Sequence, residues 1–219
     1  MATYADLQAR IADELGQRTD LASEIQLAIQ SAIAKWERER FYFNELWEVN
    51  LFTTASGQEV YGAAAAPLVA SLAKIDKVTV LVSGNRYTLT PRTWQYLEDI
   101  SVNPAVVGQP VDYAYYAEQL RFYPIPDNAY PVTLSGTQRF ATLVNPTDAN
   151  SWTLDAEALI RCEAKLDLYE NLLQEPDLAD RMRLLIYGNP MNPGERGYLY
   201  ALKAETTQRR SARLRPTYF

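Results

Sequence analysis

The chain has 219 residues, of which 47% are apolar and 22% charged, with a formal net charge of −6, one cysteine and no histidine. That balance can build a core and excludes wholesale disorder, and the negative charge gives the whole molecule no general attraction to nucleic acid. One thiol rules out an intramolecular disulfide and points to a reducing compartment. Without histidine, the commonest general base, metal ligand and pH switch are all missing. The N-terminus carries no apolar leader-like stretch, and no run of about 18 apolar residues exists, so neither secretion nor membrane spanning is expected.

Residues 1–44 read as a pair of helices. Thr3 with Asp6 forms a capping signature, Leu7, Ile11 and Leu15 recur on one face, and Gly16 can end the helix. Thr19 or Asp20 is the expected cap of the second helix, whose apolar stripe is Ile25, Ile29, Ile33 and Trp36. Lys35, Arg38 and Arg40 in its last turn suit the negative end of the helix dipole.

From 45 to 149 the period changes to two. Trp47, Val49 and Leu51 alternate with Glu48 and Asn50, which predicts a half-buried strand with the first three inward. Val78 to Leu89 predicts a hairpin turning at Ser83-Gly84-Asn85-Arg86, and Asp112 to Tyr123 a second one around Glu118-Gln119. Thr90-Pro91 is read as the start of a helical turn carrying Trp94, Leu97 and Ile100. Tyr130, Val132 and Leu134 alternate again toward Phe140. Successive hairpins predict an antiparallel, sandwich-like or curled sheet.

Residues 150–208 return to helix. Leu159, Cys162, Leu166, Tyr169 and Leu173 form a packing seam, and Pro176 opens a helix with Leu178, Met182, Leu185 and Ile186 as its expected buried set. Gly188 to Gly194 must be a loop, and a last helix follows over about 195–207. The C-terminal helices are expected to pack on the N-terminal pair. The fold class is therefore α+β, with an extended basic tail over 209–219.

The sequence offers little catalytic chemistry. No phosphate-cradling glycine motif and no GxSxG elbow is present. Asp155 and Glu157 fit the start of a helix, and Glu163, Asp167 and Glu170 interleave with Arg161 and Lys165 as a solvated face would. Cys162 sits on the apolar seam and reads as core. The expectation is no catalytic residue, no metal and no cofactor.

Two features point instead to partners. The chain holds 15 Tyr, 4 Trp and 6 Phe, and aromatics of this kind are enriched at subunit contacts. Tyr115 and Tyr116 must face opposite sides of a strand, so Tyr113, Tyr115 and Tyr116 are interface candidates. The tail combines Arg209, Arg210, Arg213 and Arg215 with Tyr218 and Phe219 and contains no acid. Arginines beside unburied aromatics have the composition of a docking arm for another protein; the alternatives are a frayed, solvated terminus and phosphate neutralisation by the four arginines, which the acidic body opposes. Its like charges predict disorder in the monomer.

The order of these parts resembles the head-to-tail connector (adaptor) family of tailed bacteriophages. The residues that carry the resemblance are Tyr4-Ala5-Asp6-Leu7, Ile25-Gln26-Leu27-Ala28-Ile29 running on to the aromatic stretch at 36–42, and Leu120-Arg121-Phe122-Tyr123-Pro124-Ile125-Pro126. Tyr130 to Arg139-Phe140 and the link Trp152-Thr153-Leu154 complete it. The resemblance implies a non-enzymatic ring of about a dozen copies beneath the portal, in which helices form the ring and the C-terminal extension grips the portal. Its implied partners are the portal protein, neighbouring adaptor subunits and downstream tail or nozzle proteins. Double-stranded DNA would pass the lumen without specific binding, and no membrane is involved. The implied place is the virion neck, after synthesis in the host cytoplasm. Another neck or tail-completion (stopper) protein is the alternative, and a carboxylate-based tail-associated hydrolase the rival from another class.

Overall fold

The computed structural model describes residues 2–101, 106–192 and 194–210, with Arg210 described by its backbone alone. The helices are α1 (Tyr4–Glu14), α2 (Ala22–Trp36), α3 (Pro67–Ala70), α4 (Trp94–Ile100), α5 (Ser151–Leu154), α6 (Glu157–Leu168), α7 (Pro176–Tyr187) and α8 (Tyr198–Arg210). The strands are β1 (Glu45–Thr53), β2 (Val60–Tyr61), β3 (Leu72–Val82), β4 (Asn85–Thr88), β5 (Thr90–Pro91), β6 (Val107–Gly108), β7 (Asp112–Tyr116), β8 (Gln119–Tyr123), β9 (Ile125–Pro126) and β10 (Pro131–Gln138). The fold is α+β, and it divides into two compact units, Met1–Asn44 with Phe140–Phe219 and Glu45–Arg139.

The first unit is helical. The Thr3 hydroxyl accepts from the Asp6 backbone N–H at 3.2 Å, and the Asp6 carboxylate accepts from the Thr3 N–H at 2.9 Å, closing the predicted capping box. The Thr3 backbone N–H first, and the Thr3 hydroxyl second, hold the Asp6 carboxyl below its ordinary value. Between α1 and α2 the expected Thr19 or Asp20 cap is replaced by a short 3₁₀ turn over Thr19–Leu21, with no side-chain cap on α2. Leu7, Ile11, Ile25, Ile29, Trp36, Leu159, Ile160 and Trp152 share one core, each buried, and full burial of side chains this size contributes about 1.5–3 kcal/mol apiece. Residues 140–149, which the sequence pattern grouped with the sheet, belong here: Leu143 is buried and Phe140 stacks 6.4 Å from Phe43.

The charged side of α6 is not the solvated face its pattern predicted. Glu163 is 7% exposed and Lys165 8%. Glu163 accepts from Lys35 and, at 3.1 Å, from the Trp36 indole N–H. Along the same helix, Arg10 pairs with Glu157 at 3.1 Å, Arg161 reaches Glu157 at 3.5 Å and Glu14 at 3.1 Å, and Lys165 pairs with Glu14. Burial alone would lower the Lys35 pKa, but its bonds to Glu163 and Tyr187 outweigh this and the net shift is upward. After Leu168 the helix widens into a π turn over Tyr169–Leu173 and stops at Gln174, whose φ is 54°.

The second unit packs two sheets on one core. Strands run β1-β10-β3-β4 in the first and β2-β8-β7-β5 in the second, and β6 pairs with β9. The long pairings are antiparallel; the two-residue pairings of β5 with β7 and of β6 with β9 are parallel. Phe52, Val78, Val80, Val132 and Leu134 from one sheet meet Tyr61, Tyr113, Leu120 and Phe122 from the other. Both predicted hairpins form, turning at Ser83-Gly84 and Ala117-Glu118 with positive φ at all four residues, the backbone that suits a twisted ribbon.

Two expectations fail here. Leu46 and Phe52 face the core, while Trp47 is 70% and Val49 41% exposed. Asn50, at φ 61°, lies in a register break between Glu48 and Phe52, so no single alternation runs through β1. Thr90 and Pro91 pair as a strand with β7, and α4 begins later, capped by the Thr93 hydroxyl accepting from Tyr96 N–H at 3.2 Å.

Arg121, inside the Leu120–Pro126 tract, is 5% exposed. It pairs with Glu98 and with Glu59 at 3.5 Å, bonds Ser101 at 2.9 Å and lies 5.3 Å from the Trp94 ring. It thereby pins α4 to β8. Arg121→Ala should cost about 2 kcal/mol, the size of lost hydrogen bonds to a charged group. Arg121→Met should cost less, because the freed carboxylates are partly solvated and the packing is kept. Urea unfolding of the two variants checks the order.

Candidate assembly surfaces

The C-terminal helices carry an apolar surface that their own unit does not bury. In α7, Ala179, Met182 and Ile186 step by three and four into the core. Leu178 and Leu185, expected to be buried, are 38% and 39% exposed, and Leu184 and Tyr187 are 47% and 50% exposed. The physical reason is width: apolar residues span more of α7 than one packing stripe can cover. Counting the apolar residues of α7 against the width of one stripe is the sequence signal that could have found this exposed face.

The loop after α7 extends this surface. The Asn189 backbone N–H donates to the Glu195 carbonyl at 2.9 Å, and the Asn189 side-chain oxygen accepts from Met191 N–H at 3.0 Å. Side-chain amides of Asn189 and Asn192 both donate to the Glu195 carboxylate at 3.0 Å. This bracing holds Met191 outward at 91% exposure. A Cβ on Gly197 would lie 2.3 Å from the Ile186 carbonyl oxygen, so only glycine lets α8 leave so close to the end of α7. Leu184 lines two surface hollows, of about 570 and 610 Å³, on either side of the α7 end.

At the far end of α8 sits the base of the basic tail. Tyr42 N–H donates to the Thr206 hydroxyl at 3.0 Å, and the Tyr42 hydroxyl donates to Asp155 at 3.0 Å. Burial first, and Asp155 second, push the Tyr42 phenol up to about 12. Arg209 lies over this ring at 3.7 Å and pairs with Glu205 at 2.6 Å. The extended tail therefore does not start at Arg209. The helix continues through Arg210, because an i,i+4 ion pair and a cation–π contact both favour the extra turn. Arg213, Arg215, Tyr218 and Phe219 lie outside the described residues.

The three tyrosines of β7 have different surroundings. Tyr113 is 5% exposed and belongs to the sheet core, opposite Phe122, so its place as an exposed aromatic is corrected. Tyr115 is half-buried, and its hydroxyl donates to the Val69 carbonyl at 3.0 Å. Tyr116, on the other side of the strand, is 61% exposed, with its ring 5.7 Å from Trp94.

Among the described residues, no group of three or more His, Cys, Asp or Glu could hold a metal ion, and no helix is long and apolar enough to cross a membrane. Cys162 is buried, and that burial raises its thiol pKa; a raised pKa disfavours the thiolate a nucleophile needs. A family model described as SU10 adaptor protein matches residues 2–205. The chain belongs to this family of phage head–tail adaptors. The adaptor is thus a structural component of a phage virion that takes part in head–tail assembly. The match covers the second unit whole and the first as far as Glu205 in α8, and the basic tail lies beyond it. A search of curated proteins returns no match for the adaptor.

Proposed function

We propose that this adaptor forms a closed ring of about a dozen copies beneath the portal, joining capsid to tail and continuing the DNA channel. The observation that carries this reading is the family match over residues 2–205. The α7 surface supports it, because it leaves Leu, Tyr and Met side chains exposed, and Tyr and Met are enriched at protein interfaces. In this reading Leu184, Leu185, Tyr187 and Met191 meet the neighbouring copy. The segment from Arg209 onward docks on the portal, with Arg210, Arg213 and Arg215 pairing with carboxylates and Tyr218 and Phe219 as apolar anchors. Tyr116 faces a partner while Tyr113 and Tyr115 hold the sheet unit together. Downstream tail or nozzle proteins complete the contacts at the virion neck, and the chain is made in the host cytoplasm. A net charge of −6 suits a channel wall that lets double-stranded DNA pass without binding it. Catalysis, metal and cofactor have no place in this role.

The test is to mix the purified adaptor with portal rings and measure the size of the product. A high-order complex is expected. Leu184→Glu combined with Leu185→Glu should keep the fold and lose ring closure. An adaptor that stays monomeric beside intact portal rings would refute the reading.

A further inference from the structure

We propose that the outer face of the β1-β10-β3-β4 sheet is an anion-recognition site that docks an acidic, extended segment of a partner protein. The argument starts from register. Trp47 lies opposite Ser135, and Ser135 opposite Lys77, so one row crosses three strands. Thr133 lies opposite Thr79, and Thr79 opposite Thr88, giving a second row. Arg86, two residues before Thr88, shares its side of β4. These side chains line one hollow of about 160 Å³.

The contents of that hollow are unusual for a solvated sheet face. Cross-strand pairs there normally bring opposite charges together, yet no carboxylate lines this one. Lys77 and Arg86 are exposed, and among the described residues neither makes an ion pair. The hydroxyls of Thr79, Thr88, Thr133 and Ser135 likewise make no hydrogen bond within the described chain. Two cations and four hydroxyls thus converge, unengaged, on a molecule of net charge −6. At the rim stands Trp47, an aromatic ring 70% exposed.

Charge complementarity selects an acidic ligand, and the rest selects a protein. Two cations could neutralise only two phosphates, which supports weak nucleic-acid binding at best against an acidic body. Tryptophan and arginine are the residues that dominate protein–protein contacts. A hollow of about 160 Å³ admits one or two side chains and not a duplex. A segment alternating acidic and apolar residues would set carboxylates on Lys77 and Arg86 and an apolar group on Trp47. Since β4 is the edge of its sheet, an extended backbone can also lie alongside it.

The experiment titrates the full chain with a short peptide alternating glutamate and leucine. The readout is Trp47 emission, isolated as the difference between the native chain and Trp47→Phe. The expected result is a saturable change that fades as salt is raised and weakens at least about tenfold in Lys77→Glu with Arg86→Glu; both positions are exposed, so the melting temperature should hold. A peptide with glutamine in place of glutamate should give no such change. No saturable response would overturn the proposal, as would equal binding of the glutamine peptide or tighter binding of single-stranded or duplex DNA.

Discussion

Removing residues 211–219 is expected to abolish joining of the adaptor to portal rings while leaving its folded units intact. The cut is placed after Arg210 because α8 runs to that residue and Arg209 is held on Tyr42 and Glu205. An earlier cut would break that clamp and confuse a local defect with a docking defect. The segment removed carries Arg213, Arg215, Tyr218 and Phe219. Truncating an aromatic anchor at an interface costs about 2 kcal/mol or more, so losing both weakens each contact by roughly a thousandfold. In a ring, each copy's loss compounds through the linked contacts of the others. Arg213→Ala should weaken joining mainly at low salt, whereas Tyr218→Ala with Phe219→Ala should weaken it at every salt. Sedimentation of portal mixed with each variant measures this. Unchanged joining by the truncated chain would remove the arm from the account.

Gly136→Ala is expected to have the largest effect on stability, about 3 kcal/mol, near the upper end for overpacking. Gly136 sits on β10, the strand between β1 and β3, at the point where Ser135 pairs with Lys77 but Gly136 pairs with Ile75. Its missing Cβ lets the backbones close over this bulge. An added methyl would lie 2.1 Å from the Lys74 carbonyl oxygen, which is itself backbone and cannot swing aside. Gly62→Ala, in the same unit, is the control. There the new methyl meets only the flexible Gln119 side chain at 3.3 Å, and a change within about 0.5 kcal/mol is expected. Urea midpoints distinguish them: if Gly136→Ala unfolds at the midpoint of Gly62→Ala, the close approach at Lys74 is relaxed at no measurable expense.

Local rules were legible in the sequence wherever the interaction is local. The Thr3–Asp6 box and the two hairpins are decided within a few residues; the box forms as read, and both hairpins form with tighter turns, at Ser83-Gly84 and, one residue earlier than read, at Ala117-Glu118. What the sequence hid depends on distant partners. Glu163 reads as a surface acid because helical period says only that it leaves the apolar seam. Lys35, which makes its burial tolerable, is 128 residues away, and Glu14 stands 151 residues from Lys165. In β1 both alternating sets contain large apolar residues, Trp47 and Val49 against Leu46 and Phe52. Only the pairing with β10 and the break around Asn50 decide which set turns inward. Of the two surfaces proposed for assembly, the tail stands out by its charge, and the exposed α7 face only by counting more apolar residues than one stripe can bury.

The run of opposite charges joining α1 and α2 to α6 has a mechanical meaning. Arg10, Glu157, Arg161, Glu14 and Lys165 alternate in sign along one seam, and Lys35 locks onto Glu163 along another. An oily seam alone tolerates sliding, since one apolar contact replaces the next. Here a slip of one helical turn, about 5.4 Å, would mismatch the charges together and strand Glu163 and Lys165 without counter-ions in a nearly dry setting. The bundle therefore behaves like a ratchet bar with its teeth engaged: it resists shear along its own axis, the direction in which a hydrophobic core is softest.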